Sequence, residues 1–207
     1  MDKKLASFLI FLLPIISHGQ SKPNYSDEIQ AFRENYKASL MEGKHGLKPS
    51  DTGYLRFYEP DITYQVKGVF EQVVNAIAFP SYLVHGTKGP IIKEYGYVYF
   101  TLKGAPVTLH IYRFLTRPED NTDASIRLFI PFTDFTNYKE TFEGGRYLDV
   151  SVDDIKDDNT LILDFNKCYN PHTAYEKGYP YIAPPRDNAL NIKIKAGEKI
   201  FGHNPGY

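Results

Sequence analysis

Hydrophobic positions along this chain change period twice. Near the N-terminus Ile29, Phe32, Tyr36 and Leu40 recur at helical spacing and make one apolar stripe. Ser26 reads as the cap of that helix, Asp27 and Glu28 sit in its first turn against the dipole, and Gly43 ends it. The helix is expected to pack on the outside of a sheet. Residues 45–53 read as loop, and from Tyr54 the period falls to two. Residues 54–58 read as a short strand, and Glu59-Pro60-Asp61 as a turn. Over 62–70, Ile62, Tyr64 and Val66 alternate with Thr63, Gln65 and Lys67, as in a half-solvated antiparallel strand. One or two further strands are expected between Val73 and His85, before a turn at Thr87-Lys88-Gly89-Pro90. Residues 91–102 and 107–115 form the clearest predicted hairpin, closed by Lys103-Gly104-Ala105-Pro106. A polar loop (117–123) leads to a strand over 125–130.

The second change of period comes after Leu163. Before it, Glu143-Gly144-Gly145 reads as a tight turn into a strand over 146–150, and Leu161-Ile162-Leu163 reads as core strand. Residues 166–185 then run almost without strand pattern and hold four prolines and four tyrosines. A loop this long and this stiff is a candidate functional segment. Regular alternation resumes over 190–194. The predicted fold is mainly β: a single antiparallel sandwich or barrel-like domain with one N-terminal helix and a long Pro/Tyr-rich loop. The pattern does not separate barrel from sandwich.

Candidate chemistry gathers where the strand at 146–150 meets the long loop. Alternation puts Arg146, Leu148 and Val150 on one face and Tyr147 and Asp149 on the other. The planar fork of Arg146 suits a ligand carboxylate or phosphate, or an internal ion pair with Asp134, Asp149 or Asp164. Asp164 and Asn166 bracket Phe165 at a strand end, where they serve turn amides or project into a cavity. Tyr169, Asn170 and His172 follow in the loop. The candidate ligand-binding set is therefore Arg146, Tyr147, Asp149, Asp164, Asn166, Tyr169, Asn170 and His172. Aromatic faces beside Asp, Asn and Arg fit a small polar, sugar-like ligand. Two other readings stay open. One is a hydrolase in which Asp149, Asp164 and His172 act as acid and base. The other is a buried polar network that only braces the loop.

Composition narrows the classes. The chain of 207 residues has room for one domain with a substantial core. Its 17 Tyr and 14 Phe with no Trp agree with a β-rich domain. A net charge of −1 argues against a nucleic-acid partner, which needs a basic stripe. The single cysteine, Cys168, rules out an intramolecular disulfide and multi-Cys zinc sites, and reads as a small buried hydrophobe. No G-x-S-x-G elbow, H-E-x-x-H, P-loop or G-x-G-x-x-G is present, and no cofactor or metal is expected. Lys3 and Lys4 precede an apolar run over 5–16 that is too short to span a bilayer comfortably, followed by Ser17-His18-Gly19. Residues 1–19 are thus expected to be a signal peptide. Residues 20–207 are then expected to be a single exported β-rich domain, periplasmic or secreted, with no membrane span after signal removal.

Four ordered stretches carry a family likeness: PFTDFTNYKETFEGGRYLDV, LDFNKCYNPHTAY, APPRDNALNIKIKAGEK and, more weakly, GYLRFYEPDITYQVKGVF. On these the chain resembles the bacterial domain-of-unknown-function family sixteen eighty-four. The resemblance implies one β-rich domain and assigns no reaction.

Overall fold

The computed structural model describes residues 24–42, 46–86, 88–115 and 128–202. The expected signal peptide, Gly43, Thr87 and the loop over 117–123 lie outside these residues. Among the described residues eight strands form one antiparallel sheet, curled into a half-barrel, which decides between the two predicted architectures. They are β1 (Gln65–Gln72), β2 (Ala78–Val84), β3 (Lys88–Leu102), β4 (Ala105–Phe114), β5 (Leu128–Phe132), β6 (Arg146–Val150), β7 (Thr160–Asp164) and β8 (Tyr181–Ile182). Their order is β6-β5-β4-β3-β1-β7, with β2 on the first half of β3 and β8 on β2. The hairpin β3–β4 is the one expected. Leu102 pairs with Ala105, and Lys103 and Gly104 both take left-handed φ (50° and 82°), the conformation a two-residue turn between twisted strands requires.

Alternation sets the core. Val98, Phe100 and Leu102 of β3 are buried with Leu109 and Ile111 of β4 and Leu161 and Leu163 of β7. Strand β5 is buried on both faces. Its Leu128, Ile130 and Phe132 join this main core, while Phe129 packs on the other side with Ile92 and Tyr112. That second apolar layer is the ground on which the site is built.

Among the described residues the single α-helix, α1 (Tyr25–Leu40), starts one residue before the expected cap: Asn24, whose side chain accepts from Asp27 N–H at 3.0 Å, takes the role assigned to Ser26. Its inner stripe borders β6, where Phe32 and Tyr36 line one groove with Leu148 and Asp149. It lies over the segment after β7 and the residues near Phe57, where Arg33 stacks on the Phe57 ring and donates to the Tyr58 carbonyl at 2.6 Å.

Three expected strands are altered. Residues 62–64 form a 3-10 turn, because the Asp61 carboxylate takes the Thr63 N–H at 2.9 Å and delays the ladder to Gln65. Residues 54–58 pair irregularly with the C-terminal stretch, through Tyr58 N–H to the Gly197 carbonyl at 3.0 Å and Lys199 N–H to the Arg56 carbonyl at 2.8 Å. Residues 190–194 run beside 133–135, held by Leu190 N–H to the Thr133 carbonyl and Phe135 N–H to the Ile192 carbonyl, without forming a regular strand.

Candidate functional site

The long loop is fastened to β6 by backbone. Tyr147 and Tyr169 exchange N–H···O=C bonds of 2.9 and 3.0 Å, an isolated antiparallel bridge. The Tyr147 hydroxyl donates to the Ile182 carbonyl at 2.7 Å, tying β8 to the same strand. Between these elements lies a cavity of about 580 Å³. One wall is Phe129 and Phe114 of the second apolar layer, with Leu128 of the main core at its edge. The opposite wall is Leu83, Pro90, Pro180, Tyr181 and Ile182. Tyr36 and Leu40 of α1 close it with Tyr147, Tyr169, Tyr175 and Pro171, and the polar lining is Asp149, Asn170 and His172.

Five of the eight predicted site residues, Tyr147, Asp149, Tyr169, Asn170 and His172, line this cavity together. The Tyr169 hydroxyl donates to Asp149 Oδ1 at 2.7 Å. The Asn170 amide N–H donates to Glu198 Oε2 at 2.8 Å and its Nδ2 donates to the Lys199 carbonyl at 2.9 Å. Its Oδ1, in a residue 2% exposed, has no partner. His172 Nε2 stands 3.5 Å from Glu176 Oε2, and its ring packs against Tyr179.

The other three do not line it, and strand parity explains the first. Residues 147 and 149 of β6 face the cavity, so Arg146 faces the core and is fully buried. Its Nη2 pairs with Asp134 Oδ2 at 2.7 Å and reaches the Ile194 carbonyl at 2.8 Å, while Nη1 donates to the carbonyls of Ala196 (2.5 Å) and Glu198 (3.3 Å). Of its three candidate ion-pair partners, Asp134 is the one used. Asp164 and Asn166 form a separate knot. Asp164 accepts from the Tyr25 hydroxyl at 2.9 Å and the Asn166 N–H at 3.0 Å, and Asn166 bonds both the N–H and the carbonyl of Asp61. This knot anchors the start of α1 to the end of β7. Arg146, Asp164 and Asn166 are thus brace, and an acid–base pair of Asp149 with Asp164 is not assembled.

Cys168 is 1% exposed inside the main core, where burial pushes its thiol pKa up and keeps it protonated.

The residue that sequence reasoning missed is Glu198. From residues alone, Ala196-Gly197-Glu198 reads only as a turn. In the fold the Glu198 carboxyl is fully buried directly behind the cavity lining. It accepts from the Tyr175 hydroxyl at 2.7 Å and the Tyr36 hydroxyl at 3.2 Å, and those two hydroxyls lie 2.7 Å apart. Burial raises its pKa to about 7, against the opposing pull of the Asn170 N–H and the phenols. Burial also raises the Tyr36 and Tyr175 phenols, which remain protonated donors. Gly197 makes the placement possible: its φ is +74°, and a Cβ there would stand 2.7 Å from the carbonyl oxygens of Cys168 and Phe165. A glycine directly before an acid, close to the chain end, was the available signal.

Among the described residues no group of His, Cys, Asp and Glu is arranged to hold a metal ion, and no helix is long and apolar enough to cross a membrane. No functionally curated protein matches the chain. The solution NMR structure of an uncharacterized protein of Haloarcula marismortui is similar to it in fold, with a TM-score of 0.65 and 24% identity over 85% of this chain and 94% of that one. Residues 53–199 match the profile of the family described as "Protein of unknown function (DUF1684)", and the chain belongs to that family.

Proposed function

We propose that this protein binds a small molecule in the cavity between β6, β8 and the 166–185 loop. The observation that carries this reading is a cavity of about 580 Å³ whose apolar walls converge on a few fixed polar groups. Small-molecule sites share that size and that balance of lining. The lining favours a compact ligand with a flat apolar body and a polar end, and the sugar-like ligand expected from the sequence is the more polar member of that range. The export signal read over 1–19 belongs to this proposal: the ligand is met outside the cytoplasm.

The test is a thermal-shift screen of small molecules on the wild type and on Ile182→Trp, which places an indole in the cavity from β8. Hits are expected to raise the wild-type Tm by several degrees, since a ligand of the native state stabilises it by mass action. They are expected to leave Ile182→Trp unmoved. If Ile182→Trp does not fold, Leu83→Trp fills the space from the neighbouring strand. Hits that shift a folded Trp variant as far as the wild type would remove the cavity as their site.

A further inference from the structure

We infer that the occupant of this cavity is an uncharged, hydrocarbon-rich molecule with at most one polar group, drawn from the apolar end of the range the lining admits. The inference rests on the cavity being a binding site and adds the chemical class of what it binds. Three observations converge on it. The first is that the hydrogen-bonding groups of the lining are spent within the protein. The Tyr147 hydroxyl donates to the Ile182 carbonyl at 2.7 Å, and the Tyr169 hydroxyl to Asp149 Oδ1 at 2.7 Å. The Tyr36 and Tyr175 hydroxyls lie 2.7 Å apart and both reach Glu198. Asn170 gives its N–H to Glu198 and its Nδ2 to the Lys199 carbonyl, and its Oδ1 is sealed from the surface. A polyhydroxylated ligand would give up its water here and find few partners, at a cost for each unmet group.

The second is the apolar surface left open. Leu40, Leu83, Phe114 and Ile182 line the cavity and are only half-buried, and Pro90 and Pro180 beside them are exposed. Phe114 stacks on Phe129 with ring centroids 4.3 Å apart, which makes one wall a fixed pair of rings. Hydrocarbon laid between the walls takes apolar surface of both partners out of water, and that gain needs no hydrogen bond.

The third is charge. Among the described residues no Lys or Arg lines the cavity, and Asp149, its lining carboxylate, is already engaged with the protein. His172 Nε2 is buried and stands 3.5 Å from Glu176 Oε2. An ionised ligand group would lose its water to a lining with no spare counter-charge. A single hydroxyl or carbonyl carries a smaller desolvation cost.

The experiment is calorimetric titration of the folded protein with 2-phenylethanol, 4-phenylbutan-1-ol, 2-phenylethylammonium, 3-phenylpropanoate and methyl β-glucoside. Both alcohols are expected to bind, the longer one roughly tenfold more tightly, since each buried methylene is worth roughly fourfold. The ammonium and carboxylate compounds are expected to bind roughly tenfold more weakly than 2-phenylethanol, and the glucoside not at all. Ile182→Trp, or Leu83→Trp if that variant does not fold, is expected to abolish binding of the alcohols. An ion that binds as tightly as 2-phenylethanol, a glucoside that outbinds it, or no gain from the longer alcohol would overturn the class, and loss of that binding in the Trp variant would leave the cavity as a site. Alcohols that bind a folded Trp variant as tightly as the wild type, or no binding by any of the compounds, would overturn the cavity and the class together.

Discussion

Arg146→Ala is expected to lower the folding stability by about 3–5 kcal/mol, enough to unfold many domains of this size. The guanidinium is fully buried and pairs with Asp134, whose own side chain is sealed as well. Removing it leaves a carboxylate in the core with no cation. It also releases the carbonyls of Ile194, Ala196 and Glu198, which the two terminal nitrogens of one planar fork now hold. Asp134 still accepts from the Thr136 N–H, but a neutral backbone donor does not replace a cation. Arg146→Lys is expected to recover little, because an ammonium on a flexible stem does not reproduce the fork. Urea denaturation monitored by circular dichroism measures both changes. A midpoint within experimental error of wild type would mean that Arg146 is not the brace described above.

Between about pH 5 and pH 8 the protein is expected to lose stability on the order of 3 kcal/mol through Glu198 alone. The carboxyl titrates near 4.5 when exposed, and burial raises it to about 7 in the fold. The folded state thus holds this proton more tightly than the unfolded chain does. The stabilisation is fully present below about pH 4.5 and is lost as pH rises through about 7. The acids with lowered pKa have the opposite sign. Asp61 and Asp158 lend stability that is lost only as pH falls below their usual 3.8, outside this window. Glu198→Gln preserves shape and removes the titration. Its Tm is expected to be flat from pH 5 to 8 and to match or exceed the wild type at pH 8. The same downward slope in Glu198→Gln would assign the titration to another group.

How much of this was readable from residues follows a simple division. Features set by neighbours in sequence were legible. The turn at Lys103-Gly104, the strand into Arg146 and the parity of β6 follow from local chemistry and a period of two. Parity also held the answer about Arg146: it shares a face with core residues Leu148 and Val150, so it could not share the cavity with Tyr147 and Asp149. What was illegible depends on segments far apart in the chain. Tyr36 and Tyr175 both meet Glu198, across 162 and 23 residues, and no spacing rule links them. The far wall from β2, β3 and β8 was equally hidden, since Leu83, Pro90 and Ile182 read as ordinary strand and loop residues. Residues 190–194 misled in the other direction. Their alternation is real, with Leu190 and Ile194 buried, but their backbone partners are the irregular residues near Thr133, and no ladder forms.

The most direct measurement is an NMR titration of isotope-labelled protein with the most stabilising compound of the thermal-shift screen, following backbone amide shifts. Binding in the cavity should move Tyr147, Tyr169, Asn170 and Ile182 together along one saturating curve, with Val69 and Tyr99 on the exposed sheet face left still. Shifts confined to that exposed face, or none in the four cavity amides at saturation, would contradict the account.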